Sequence, residues 1–390
     1  MRLFYLIFGQ KKTILESIIA GMAELADAHD SKSCGAIHGS SILPPGTMKI
    51  SLILPSLLLF FFPLFFAHAQ TTASPYGERI FYYSTLKSNV ADFTAHANEI
   101  DIIAPQTYEV TAALTASGTV PADLYQSAQV NHVKIMPLIA NHGFSQTIIH
   151  SLLASSTAQT ALTAFLVSEA QARGYTGWQF DFEHMASADR DAFSALVAQT
   201  AAALHAHGLI LSVAAVAKAP GQASADPSSA FYKNWSGAYD YAALGSAADF
   251  VSLMAYDDPD STGASAPLPF VKTVIENALA QIPPSKISLG IPLYYWGWTK
   301  TVPPMRLNSG GTYAAAMQRI AEYPSLQGRN DAVGVPWIIY KLGKKFYMIW
   351  YEDAQSFSLK AALVGTYHLR GFSAWVLGSE DPALWNMLGR

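Results

Sequence analysis

Eight short apolar runs of β-type residues, each parted from the next by a stretch with helical spacing, constrain this 390-residue chain more than any other feature. The runs lie at 79–83, 100–104, 133–139, 178–182, 210–216, 249–254, 286–292 and 371–376. Strands joined through helices must run parallel, because the crossover returns the chain to the same end of the sheet. Eight such units in about 300 residues predict an α/β chain folded as a (β/α)8 TIM barrel. One helix shows the pattern: Phe193, Leu196, Val197, Thr200 and Leu204 form one face, Ser187 stands before it and Gly208 after it. The stretch 300–348 breaks the alternation with Pro303-Pro304, a helical piece and β-type residues. It reads as a small α+β insertion after strand seven that walls one side of a cleft.

The N-terminal segment follows a different logic. From Met48 a basic residue precedes an apolar run to Phe66, and Ala67-His-Ala69 supplies small residues at −3 and −1. That is the layout of a secretory signal peptide over 48–69, cleaved after Ala69. Pro55, Pro63 and the short run disfavour the other reading, an uncleaved membrane anchor. A signal peptide should not begin at residue 48, and Met22-Ala-Glu-Leu-Ala-Asp-Ala-His resembles the peptide obtained when a bacterial transfer-RNA gene is translated. The expected organisation is a spurious or disordered leader over 1–47, the signal peptide, a linker over 70–77 and a barrel over 78–390. Export to the cell envelope or medium follows. The lone cysteine, Cys34, falls in the leader, so no disulfide framework or Cys-based metal site is expected. A net charge of −4 argues against a nucleic-acid partner.

In a barrel of this kind the reactive groups collect at the C-terminal ends of the strands. Strand four ends in Gln179-Phe-Asp181-Phe-Glu183. Residues two apart share a face, so Gln179, Asp181 and Glu183 are predicted to line the interior while Phe180 and Phe182 pack outward. Two carboxylates on one inward face repel, and one should keep its proton near neutral pH, as a general acid requires. A buried polar layer without activity is the bland alternative.

These residues resemble glycoside hydrolase family 18, whose strand-four motif is Asp-Gly-x-Asp-x-Asp-x-Glu; here it reads Thr176-Gly-Trp-Gln179-Phe-Asp181-Phe-Glu183. Met254-Ala-Tyr256-Asp257 and Gly290-Ile-Pro-Leu-Tyr294 match the family at strands six and seven, and Trp375 stands where it keeps a tryptophan under the reacting sugar. Together with Val133-Lys-Ile-Met-Pro-Leu138 and Trp350-Tyr-Glu-Asp353, they resemble the bacterial spore-cortex-lytic and germination branch. The resemblance implies a secreted glycosidase acting on peptidoglycan or chitin-like chains. Glu183 would be the general acid and base, Asp181 and Tyr256 would hold the substrate's 2-acetamido group as it attacks the anomeric carbon, and Asp257 would touch the sugar or Tyr256. No cofactor or metal is implied, and a monomer is expected.

Two acids of the motif are replaced, by Thr176 and Gln179. An amide at 179 can hydrogen-bond but cannot share charge, so Asp181 is expected to be less perturbed than in chitinases. The replacements also leave open a non-catalytic glycan-binding barrel. Sugars stack on aromatic rings, which makes Tyr294, Trp296, Trp298 and Tyr108 candidate sugar contacts, with Trp296 and Trp298 preferred. Glu352-Asp353 reads as an acid pair capping the last long helix.

Overall fold

The computed structural model describes residues 75–300 and 306–389. The leader, the signal peptide and most of the linker fall outside the described residues. Eight parallel strands close on themselves: β1 (Glu78–Tyr83), β2 (Ile102–Val110), β3 (Leu138–Asn141), β4 (Gly177–Asp181), β5 (Ile210–Val216), β6 (Phe250–Met254), β7 (Ile287–Pro292) and β13 (Gly371–Trp375). Each pairs in parallel with the next, and β1 joins both β2 and β13 to shut the barrel. Closure leaves no free edge in the ring. Helices such as Ser156–Arg173, Arg190–His205 and Leu268–Leu279 lie outside, and the faces they turn inward are apolar.

The strand alternation sorts the core in two. Phe81, Ile103, Trp178, Phe180 and Phe182 belong to the shell between strands and helices, while Ile80, Tyr82, Ile102, Ala104, Met136, Leu138 and Phe250 fill the barrel interior. Among them lies a buried polar cluster, level with Leu138 and Phe250. Gln179 Nε2 donates to Ser212 Oγ at 2.9 Å and Ser252 Oγ at 3.0 Å, and Ser252 is bonded in turn to Ser373, which reaches Ser288. Five strands are tied there by side chains with no charge.

Gly290 on β7 faces this cluster. A Cβ at that position would lie 2.2 Å from the Leu253 carbonyl oxygen and 3.0 Å from the Tyr256 ring. Backbone cannot yield by that amount without parting β6 from β7. Gly290→Ala is therefore expected to destabilise the fold by about 3 kcal/mol, read as a lower urea midpoint with an unchanged slope.

The insertion is larger than the sequence suggested and begins sooner. Tyr294-Tyr-Trp-Gly-Trp298 is not a loop of free rings but the start of β8 (Tyr294–Lys300). It joins β9 (Arg306–Thr312), β10 (Ser325–Asn330), β11 (Val335–Leu342) and β12 (Lys345–Trp350) in an antiparallel sheet ordered β9-β8-β12-β11-β10. A helix over Tyr313–Glu322, capped by the Thr312 hydroxyl, covers one face. Tyr295, Ala316, Ile338, Tyr340 and Ile349 give the sheet its own core.

Asp353 caps the following helix, Ala354–Thr366, through a capping box with Ser356. Glu352 does not share that task. It is buried, and both its oxygens accept from Lys360 Nζ, at 2.9 and 2.7 Å.

Candidate active site

The mouth of the barrel brings the strand-four carboxylates together with groups from the other seven barrel strands or the loops that follow them. Asp181 is the last residue of β4 and is 3% exposed. Its Oδ2 accepts from Gln106 Nε2 at 3.0 Å, the one uncharged donor that burial leaves it. Burial pushes its carboxyl up to about 6, partly offset by that hydrogen bond. This shift arises although residue 179 is an amide, because desolvation rather than a neighbouring acid drives it.

Glu183 sits two residues on, where the strand has ended. Its backbone is clamped from both sides by one amide: Glu183 N–H donates to Asn141 Oδ1 and its carbonyl accepts from Asn141 Nδ2, each at 3.1 Å. The Tyr239 hydroxyl secures the preceding carbonyl, of Phe182, at 2.7 Å. Burial, then Asp181, then Asp257 raise the Glu183 carboxyl well above the ordinary range. Two acids two residues apart thus titrate differently. Burial alone raises Asp181, to about 6, while burial together with two neighbouring carboxylates raises Glu183 well above its ordinary range.

Tyr256 and Asp257 follow β6. The Tyr256 hydroxyl is held protonated by burial and by the nearby Tyr82, Asp181, Asp257 and Glu183, so it can only donate a proton in a hydrogen bond or accept one on its oxygen. Asp257, at a positive φ of 55°, turns its carboxylate to the Tyr294 hydroxyl, and Ser265 Oγ lies 3.1 Å from both. A cleft of about 450 Å³ opens over this group, walled by Asp257, Tyr294, Trp296, Trp375, Lys87 and the Gly310-Gly311 backbone. Trp375 leans on Tyr82 at 5.3 Å between ring centroids, and the Trp375–Val376 peptide is cis. A second groove of about 510 Å³ runs from the other side of the carboxylates, past Gln106, Asn141 and Glu109.

Three candidates from the sequence do not face the cleft. Tyr108 is turned outward, because a bulge between Gln106 and Tyr108 inserts one residue and reverses the alternation. Its hydroxyl bonds Glu169 at 2.9 Å and Tyr175 at 3.0 Å, and its ring packs edge-on against Trp178. Gln179 is fully buried beneath Asp181, with both its hydrogen bonds spent on serines, and offers no surface to a sugar. Trp298 is buried with its Nε1 donating to the Gly263 carbonyl at 2.8 Å, and it supports Trp296 edge-on at 5.8 Å. Gln106, Asn141, Tyr82 and Ser265 were missed. Gln106 shares a strand face with Ile102 and Ala104, so carrying β2 past Pro105 would have found it; the others answer to partners distant in sequence.

Among the described residues no group of side chains is arranged to hold a metal ion, and no helix is long and apolar enough to cross a membrane.

Comparisons with known proteins agree with this geometry. Residues 77–380 match the model of glycosyl hydrolases family 18. The cortical fragment-lytic enzyme of Bacillus subtilis is 30% identical over 273 residues, 67% of this chain and 60% of that enzyme. The chain spans less than two thirds of the length of the Bacillus subtilis relatives it matches at 30% identity. Among solved structures, the Bacillus megaterium spore cortex-lytic enzyme SleL superposes with a TM-score of 0.71 at 26% identity, covering 80% of this chain and 73% of that one. A chitinase from Chromobacterium violaceum gives 0.70 at 29% identity, covering 80% and 98%. With its closed (β/α)8 barrel, its strand-four acids and a family match over most of its length, the chain belongs to glycosyl hydrolases family 18.

Proposed function

We propose that the protein is a retaining glycosidase that cleaves bonds beside N-acetylhexosamine units, in peptidoglycan before chitin. The observation that carries this reading is a carboxyl, Glu183, pushed well above its ordinary range by burial and by Asp181, at the barrel mouth beside the cleft that Trp375 and Asp257 line. Glu183 passes its proton to the glycosidic oxygen as the bond from that oxygen to C1 breaks. The substrate's acetamido oxygen closes on C1, giving an oxazolinium ion, while Asp181 accepts a hydrogen bond from the acetamido N–H and offsets the positive charge. Tyr256 holds the acetamido oxygen. Water then attacks C1 as the bond from C1 to the acetamido oxygen breaks, restoring the acetamide, and gives up a proton to Glu183. Trp375 and Trp296 offer apolar faces to the sugars, and Asp257 and Tyr294 bind hydroxyls. Similarity to cortex-lytic enzymes favours peptidoglycan, and the apolar run at 48–69 favours an exported protein that meets it outside the cytoplasm.

The test is release of reducing ends from peptidoglycan and from chitin oligomers by the wild type beside Glu183→Gln. Binding without turnover by both proteins would replace this reading with a glycan-binding barrel.

The two carboxyls also set the pH dependence. Activity should fall as pH drops below about 6 and Asp181 takes up a proton, and fall again as pH rises and Glu183 loses its own. Gln106→Leu removes the hydrogen bond that lowers the Asp181 value, so the acid limb of kcat/KM should move to higher pH by about one unit. An unmoved limb would separate that limb from Asp181.

A further inference from the structure

We propose that Lys87 selects glycans bearing a carboxylate, by receiving that carboxylate in the cleft beside Trp375. This deepens the glycosidase reading and rests on it. Lys87 belongs to the tight turn after β1. Its own N–H and that of Ser88 both donate to the Ser84 carbonyl, at 3.0 and 2.8 Å. The Ser88 hydroxyl donates to the Leu377 carbonyl at 2.6 Å, two residues after Trp375. The backbone under the lysine is thereby fixed to the chain that carries the aromatic floor.

Among the described residues the Lys87 ammonium makes no hydrogen bond and no salt bridge, and its charge reaches Asp257 only through space. Lys87 is exposed and lines the cleft. Asp257 is the acid on the same wall, and its Oδ1 accepts from both Tyr294 and Ser265. The remaining wall is neutral: Trp296, Trp375, Ser309 and two glycines. A chain with only 13% charged residues places few ammonium groups anywhere. A neutral N-acetylglucosamine polymer brings nothing to neutralise this one. Among the described residues the groove on the far side of Asp181 is lined by no Lys or Arg, and Glu109 on its wall is paired to His142 at 2.8 Å. Of the described residues lining the two arms Lys87 is the one Lys or Arg, so an acidic substituent fits its arm. In peptidoglycan that carboxylate has two sources, the lactyl ether of muramic acid when it is free and the stem peptide when it is attached.

The experiment measures kcat and KM for the full chain, Lys87→Met and Lys87→Arg on three substrates: a chitin oligomer, a peptide-free N-acetylglucosamine–N-acetylmuramic acid glycan, and the same glycan with its peptides. Lys87→Met should raise KM about tenfold on a carboxylate-bearing glycan with little change in kcat, and move chitin-oligomer turnover by less than about twofold. Lys87→Arg should recover most of the loss. An effect on the peptide-free glycan assigns the lactyl carboxylate; an effect confined to the peptide-bearing glycan assigns the peptide. Equal losses on all three substrates would make Lys87 a positioning group for Asp257 and overturn the proposal, as would no loss on any. Should the wild type turn over none of them, the glycosidase reading fails. The same variants are then compared by dissociation constant, where loss of the preference for the peptide-free or peptide-bearing glycan over the chitin oligomer must still follow the lysine.

Discussion

Glu183→Gln should lower kcat by about 10²- to 10⁴-fold while leaving glycan affinity nearly intact. The amide matches the carboxyl in shape and can still hydrogen-bond the glycosidic oxygen, but it has no proton to transfer. The backbone clamp from Asn141 reads only the Glu183 main chain, so the substitution leaves the loop anchored. Removing one acid also removes part of what raises its neighbours. Burial and then Asp181 and Asp257 push Glu183 up, and Glu183 in turn helps to raise the Tyr239 and Tyr256 hydroxyls. In the variant the basic limb of the pH profile should therefore vanish, since its titrating group is gone. A variant that kept the wild-type rate would displace Glu183 from the role of acid. One that lost affinity and rate together would point to a collapsed cleft instead.

Strand four was legible because it depends on nothing but the period of two. Once Gln179, Asp181 and Glu183 share a face, the barrel must present them inward, and the motif tells which end they occupy. What the sequence concealed was set by contacts far away in the chain. The bulge in β2 turns on one inserted residue, and after it every side chain changes face; Tyr108 goes outward for that reason alone. Gln179 looked like a substituted catalytic acid, yet its amide nitrogen donates to serines on β5 and β6 that no local pattern connects to it. The aromatic run after strand seven looked like a set of sugar platforms. It forms the first strand of a second sheet, where Trp296 and Trp298 share a face; Trp298 is buried because its Nε1 donates to the Gly263 carbonyl, and Trp296 is left on the cleft. Composition hid one more feature: an ion pair, Glu352 with Lys360, in a chain where charge is scarce.

Breaking that pair should destabilise the fold at least as much as Gly290→Ala does. Lys360 is 1% exposed and Glu352 is 4% exposed, and the ammonium meets both carboxylate oxygens. Lys360→Met leaves a buried carboxylate without a counter-charge, and Glu352→Leu leaves a buried ammonium; each should cost about 3–5 kcal/mol. The double variant should sit within about 2 kcal/mol of the wild type, because it removes the desolvation of both charges along with their attraction. Urea unfolding of the four proteins gives the coupling energy directly. Near-additive losses would instead show two independent packing defects. The pair also has a place in the fold: Glu352 follows β12, where the insertion returns to the barrel, and Lys360 lies on the helix packed beside β7 and β13. β12 pairs with β8, the strand that holds Trp296 against the cleft. If the ion pair fixes that return, the single variants should raise KM more than they lower kcat. The double variant, stable again but without the charged tether, should recover its folding free energy before it recovers its KM.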